Sequence, residues 1–113
     1  MLIVDDHEGF RDAARALLGA EGFDVIGEAI DGREALIEAE RLRPDVVLLD
    51  IQLPDLDGFA VADRLAVVPA PPAVVLTSSY EAMTYGARLG LAPSRGFLAK
   101  RELSGAALAG LLD

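Results

Sequence analysis

The chain of 113 residues contains no cysteine, which excludes a disulfide framework, thiolate zinc or iron–sulfur centres, and a cysteine nucleophile. Histidine occurs once, at His7, so neither a histidine-rich metal site nor a Ser-His-Asp triad is expected. Basic residues are scarce as well. Ten of them against nineteen acids leave a net charge of −9, which repels a phosphate backbone, and no direct nucleic-acid contact is expected. No apolar run approaches the ~20 residues that cross a bilayer, so no membrane contact is expected. Asp5 and Asp6 interrupt any secretory leader, which makes a cytoplasmic location the expectation. What the chain has in quantity is apolar side chain. At 52% of residues this supplies the core of one domain and excludes disorder for most of the chain.

Short apolar runs alternate with segments of helical period. Met1–Val4 is continuous and apolar, as a strand covered on both faces would be. From Gly9 to Glu21, Phe10, Ala13, Ala14, Leu17 and Leu18 recur at helical spacing, with Gly22 as the stop. Phe23–Ala29 reads as a second strand. Asp31 followed by Glu34 resembles a capping box and opens a helix that Pro44 closes. Residues 45–50 hold four large apolar residues between two acids and read as the third strand. Leu53–Gly58 is a Pro/Asp/Gly loop, followed by a helix over Phe59–Val67 and a proline turn at 69–72. Ala73–Leu76 reads as the fourth strand. Glu81–Leu91 reads as a helix weakened by Gly86 and Gly90, at ~1 kcal/mol each relative to alanine. Gly96–Ala99 is the fifth strand, and Glu102–Leu112 the last helix. Five such βα units imply an α/β domain, doubly wound around a parallel sheet with helices on both faces.

Polar residues interrupt the strands at one end only. Asp5 and Asp6 follow the first strand, Asp50 ends the third, Thr77 the fourth and Lys100 the fifth. In a parallel sheet these are all carboxyl ends and share one edge, where ligands of open α/β sheets bind. Three crowded carboxylates repel one another, and a hard divalent cation relieves that repulsion. Mg²⁺ suits the place because it takes one or two carboxylates, keeps waters and leaves room for a phosphoryl group.

The ordered set Asp5-Asp6, Asp50-Ile-Gln-Leu-Pro54-Asp-Leu-Asp57-Gly58, Thr77-Ser-Ser and Phe97-Leu-Ala-Lys100 resembles the receiver domain of two-component response regulators over essentially the whole chain. The Asp-His-Glu opening and the Leu-Ala-Lys-Arg-Glu-Leu ending are most similar to the NarL/FixJ subfamily, whose members carry a LuxR-type helix-turn-helix output domain. The resemblance implies a flavodoxin-like five-stranded sheet in the order 2-1-3-4-5. Residues 1–113 are then expected to form a single receiver domain, with no output domain in this chain.

The resemblance further implies that Asp50 accepts a phosphoryl group from a sensor histidine kinase, in a transfer governed by positioning and charge neutralisation. Asp6, Asp50 and the backbone carbonyl of Gln52 would ligate Mg²⁺, with Asp5 acting through a water. Lys100 would pair with the carboxylates and then with a phosphoryl oxygen. Thr77 would donate to another oxygen, and the amides of Ile51, Gln52 and Ser78 would assist. Thr77 and Phe97 would form the switch and change the surface over 78–97, and that surface, or the last helix beside it, is the expected partner or homodimer contact. Gln52 and Ser79 flank the path of the attacking water. Pro54 shapes the loop, and Gly58 serves either a turn with φ > 0 or a close approach. His7 is expected to tune the rim of the pocket rather than to ligate metal.

Arg101 follows Lys100 where many receivers have proline, so the peptide between them is expected to be trans. Two other readings remain open at this stage. One is a pseudo-receiver that signals by association without phosphate. The other is a phosphatase of the haloacid-dehalogenase type, which wants a second acid two residues after the nucleophile, where Gln52 stands here.

Overall fold

The apolar runs become five parallel strands in the computed structural model, which describes all 113 residues. They are β1 (Leu2–Val4), β2 (Gly27–Ala29), β3 (Val46–Asp50), β4 (Ala73–Ser78) and β5 (Gly96–Ala99). Their order across the sheet is 2-1-3-4-5, and every neighbouring pair is parallel. The pleat sends alternate residues to opposite faces. Leu2, Val4, Val47, Leu49, Val74 and Leu76 face one layer, while Ile3, Leu48 and Val75 face the other.

Five α-helices cover the two faces: α1 (Glu8–Ala20), α2 (Gly32–Leu42), α3 (Gly58–Ala66), α4 (Ala87–Leu91) and α5 (Gly105–Leu112). Ala35 of α2 and Phe59, Val61, Ala62 and Leu65 of α3 fill the first layer, joined by Leu89 of α4. Ala14 and Leu18 of α1 and Leu108 of α5 fill the second. The sequence winds outward in both directions from the gap between β1 and β3, so the switch point lies where Asp5, Asp6 and Asp50 emerge. No helix is long and apolar enough to cross a membrane.

Helix ends follow the sequence signals. The amide of Phe23 donates to the carbonyl of Leu18 (3.0 Å) and that of Gly22 to Gly19 (3.2 Å), with Gly22 at φ 97°. This double closure is a Schellman motif, and it requires a residue at ease in the left-handed region. Asp31 accepts from the Glu34 amide (2.7 Å), and the Glu34 carboxylate in turn accepts from Ile30, one residue earlier than in a standard capping box.

Three elements are shorter than the sequence pattern predicts by more than one residue. β2 spans Gly27–Ala29 rather than Phe23–Ala29, because it is an edge strand whose only partner, β1, has three residues, and because Phe23 is committed to closing α1. The predicted helix over Glu81–Leu91 breaks into a 3-10 turn at Ala82–Thr84 and the short α4, divided by Gly86 at φ 57°. The last helix begins at Gly105 rather than Glu102. Ser104 caps it by accepting from the Ala107 amide (3.0 Å), and Lys100–Glu102 form a separate 3-10 turn. β4 runs two residues further than the apolar pattern, carrying Thr77 and Ser78 into the sheet. No peptide bond is cis, so the Lys100–Arg101 bond is trans as expected.

Candidate functional site

The parallel register brings the predicted residues to one edge. Asp50 and Thr77 are paired neighbours on β3 and β4, and the Ile51 amide donates to the Thr77 carbonyl (2.9 Å), continuing the ladder past Asp50. That bond occupies the Ile51 amide, which the resemblance had assigned to the phosphoryl group. The Gln52 amide donates to Oδ1 of Asp50 (3.0 Å), and Nζ of Lys100 stands 3.3 Å from its Oδ2. Asp5, Asp50, Thr77 and Ser78 are all buried, Asp50 at 1% exposure. A buried acid, an amine and a hydroxyl thus meet at one sheet edge.

Lys100 is held more tightly by Asp5 than by Asp50. Its Nζ lies 2.6 Å from Oδ2 of Asp5, an ion pair too bent for a hydrogen bond, and 4.7 Å from the centre of the Phe10 ring. Oδ1 of Asp5 accepts from the His7 amide (2.8 Å). The Arg11 guanidinium donates to the Asp5 carbonyl (2.8 Å) and to Glu28 (3.0 Å), tying α1 to β2 beneath the site. Asp6 is half-exposed beside it, and Nδ1 of His7 lies 3.1 Å from one oxygen of each aspartate. His7 therefore stands on the rim.

Three carboxylates face one ammonium, leaving two negative charges unbalanced when all are ionised. Burial pushes the Asp50 carboxyl up to about 6, against an ordinary 3.8. The Gln52 amide opposes that rise, Asp5 adds to it, and Lys100 opposes it in turn. Donor atoms from Asp5, Asp6, His7 and Asp50 all lie within 4.8 Å of one another. Hard oxygens with surplus negative charge fit Mg²⁺, and Asp6 is the acid least committed to other partners. The buried Thr77 hydroxyl has no hydrogen-bond partner, an arrangement that an incoming phosphoryl oxygen would satisfy.

The loop from Ile51 to Gly58 is shaped by two contacts. The Gly58 amide donates to the Ile51 carbonyl (2.7 Å), and a Cβ on Gly58 would lie 2.5 Å from the Asp50 carbonyl oxygen and 2.6 Å from the Ile51 Cα. Of the two reasons for glycine, close approach is the one that applies. Asp55 reaches across to α2, accepting from the amides of Gly32 (2.8 Å) and Arg33 (2.9 Å). Those bonds, Arg33 first, hold its carboxyl below the usual range.

Sequence reasoning missed Asp55 and also Tyr85. The Tyr85 ring lies 5.8 Å from Phe59 and 6.1 Å from Phe97, and its hydroxyl is 2.6 Å from Oγ of Ser78. Phe97 is only partly buried, packed under Tyr85. Arg88 pairs with Asp57 (3.3 Å), the residue that caps α3, and covers the Phe59 ring at 4.2 Å. An exposed pair joins Arg101 to Glu81.

Comparison with known proteins agrees with this geometry. Residues 1–109 match the response regulator receiver domain family, and the chain belongs to it. A protein named a transcriptional regulator in Pseudomonas aeruginosa is 38% identical over 102 residues, covering 90% of this chain. The chain spans about half the length of that relative, 49%. The signal receiver domain of the response regulator NarL from Mycobacterium tuberculosis superimposes with a TM-score of 0.85 at 32% identity, over 98% of this chain and 94% of that one. A chain of the CheX-CheY-BeF3-Mg complex from Borrelia burgdorferi superimposes with a TM-score of 0.82 at 26% identity, over 98% of this chain and 84% of that one. The protein is thus a response-regulator receiver of two-component signalling, with transcriptional regulators among its relatives.

Proposed function

We propose that Asp50 is the phosphoacceptor and that it takes its phosphoryl group from a phosphohistidine on a sensor histidine kinase. The observation that carries this reading is the buried Asp50 carboxylate with Lys100 at 3.3 Å and the partnerless Thr77 hydroxyl on the adjoining strand. One carboxylate oxygen attacks phosphorus in line, the P–N bond breaks, and its electron pair leaves with the imidazole. Lys100 moves from the carboxylates to a phosphoryl oxygen, and the Thr77 hydroxyl donates to another. Asp6, Asp50 and the Gln52 carbonyl would hold Mg²⁺, with Asp5 acting on it through a water. When bound, the cation neutralises charge shared by the carboxylates and the phosphoryl oxygens.

Phosphorylation changes the 78–97 surface through Thr77 and Phe97 and so controls an output, which we assign to transcription through a DNA-binding domain outside these residues. The chain itself is a regulator rather than an enzyme, acting in the cytoplasm with its kinase. The test is incubation with Mg²⁺ and a small acyl-phosphate donor. One base-labile phosphoryl group is expected on the wild type and none on Asp50→Asn. Labelling that persists in the variant overturns the assignment, and an unlabelled wild type favours a pseudo-receiver.

A further inference from the structure

The segment between Ser79 and Arg88 has one anchor. Every residue in it is exposed except Tyr85, whose ring is wedged between Phe59 and Phe97. Neither the 3-10 turn Ala82–Thr84 nor α4 contains a buried residue. The turn is closed by local bonds, Thr84 to Glu81 (3.0 Å) and Tyr85 to Ala82 (3.1 Å), and Gly86 follows at φ 57°. With so little apolar contact, such a segment sits at the low-stability end of the fold.

The pleat sets what Tyr85 is attached to. Thr77 and Ser78 are consecutive in β4 and so point to opposite faces, Thr77 with Val75 and Ser78 with Leu76 and Val74. Ser78 therefore faces the layer that holds Tyr85 and Phe97. Its Oγ lies 2.6 Å from the Tyr85 hydroxyl and accepts from the Tyr80 amide at 3.1 Å. The Phe97 side chain, by contrast, has no polar atom with which to bond to that of Ser78.

We propose that the Tyr85–Ser78 hydroxyl pair is the link that carries a displacement of the end of β4 to the segment 80–91. Tyr85 is here a positioning residue acting through Ser78, and Phe97 is the surface on which its ring slides. The link rests on the reading of Asp50 as phosphoacceptor. When the Thr77 hydroxyl is drawn to a group on Asp50, the Ser78 side chain is displaced on the other face, and the bonded phenol takes the turn and α4 with it.

The test uses beryllofluoride with Mg²⁺ as the phosphoryl mimic, its binding to Asp50 followed by ¹⁹F NMR, and amide exchange over residues 80–91 as the readout. Wild type is expected to change exchange there on adding the mimic. Tyr85→Phe and Ser78→Ala are expected to lose that difference, and Ser78→Thr, which keeps a hydroxyl, to retain it. A bond that merely fastens the segment would, when removed, raise exchange equally with and without the mimic, leaving the difference at wild-type size. That result overturns the link.

Tyrosine emission gives a second measurement, since the chain has no tryptophan and two tyrosines. In a Tyr80→Phe background the emission of Tyr85 is expected to shift on adding the mimic, and the shift to vanish with Ser78→Ala. An emission that ignores the mimic overturns the link even if Tyr85→Phe fails to fold. If the ¹⁹F spectrum shows no bound mimic in wild type, the phosphoacceptor reading fails and the link with it. If the mimic binds and 80–91 does not respond, the link alone fails.

Discussion

Lys100 reaches past Asp50 to Asp5: its Nζ is 2.6 Å from the Asp5 carboxylate and 3.3 Å from that of Asp50. Both acids are buried, so the ammonium compensates charge that has no access to water. Lys100→Met is expected to cost about 3–5 kcal/mol at pH 7, the usual consequence of stripping one partner from a buried pair. Adding Asp5→Asn should recover at least half of the loss. Urea denaturation of the single and double variants checks this, and a single variant as stable as wild type would refute it.

Asp50 makes stability depend on pH in a predictable sense. Its carboxyl is raised to about 6 from 3.8, so folding takes up a proton between those values. The stabilisation from this group is complete below about pH 4 and is lost as pH rises through 6. Asp50→Asn, neutral throughout, should therefore be more stable than wild type at pH 7 without Mg²⁺, by up to ~3 kcal/mol. The advantage should shrink as pH falls to 4. An advantage that is absent at pH 7, or constant with pH, contradicts the assignment.

Asp5 is already neutralised, whereas Asp6 is half-exposed and meets only His7. Asp6→Ala is expected to weaken Mg²⁺ binding by more than about tenfold, at least 1.4 kcal/mol, and Asp5→Ala by less. Calorimetric titration of the two variants decides it. The reverse order would make Asp5 the direct ligand.

Two glycines should respond oppositely to alanine. On Gly58 the new Cβ meets unyielding backbone of Asp50 and Ile51 at 2.5 and 2.6 Å, and a loss of about 1–3 kcal/mol is expected. On Gly19, exposed in α1 with nothing within 4 Å, a gain of about 0.5–1 kcal/mol is expected. Thermal unfolding of both variants checks the pair.

The sheet edge was legible because strands in a parallel layer must be apolar, so Asp5, Asp6, Asp50, Thr77 and Lys100 show up as interruptions. What was not legible depended on competition between neighbours. Phe23 and Val25 look like strand residues, yet Phe23 is needed to close α1, and before β1 only Met1 meets this segment, bonding Asp24 and Ile26. Gly86 reads as a weak point in a helix, while its φ of 57° makes it the end of one turn and the start of another. Tyr85 lies in the stretch that reads as one weak helix, and its partner Ser78 is found only once β4 is known to continue past Leu76. Asp55 resembles any turn aspartate, because the amides that it accepts from are 23 and 22 residues earlier.

The Asp55 clasp makes residues 31–34 and 51–58 a single unit of inheritance. Gly32 has no room for a side chain, since a Cβ there would lie 2.9 Å from Cβ of Leu56 and 3.0 Å from Cγ2 of Val61. A chimaera that imports the loop of another receiver without the matching start of α2 sets a foreign side chain against that glycine, or leaves two amides without their carboxylate. Exchanged together, the two segments carry their own complementarity. The natural boundary for recombination around Asp50 therefore follows a contact in space, and it divides the chain into pieces that are not contiguous in sequence.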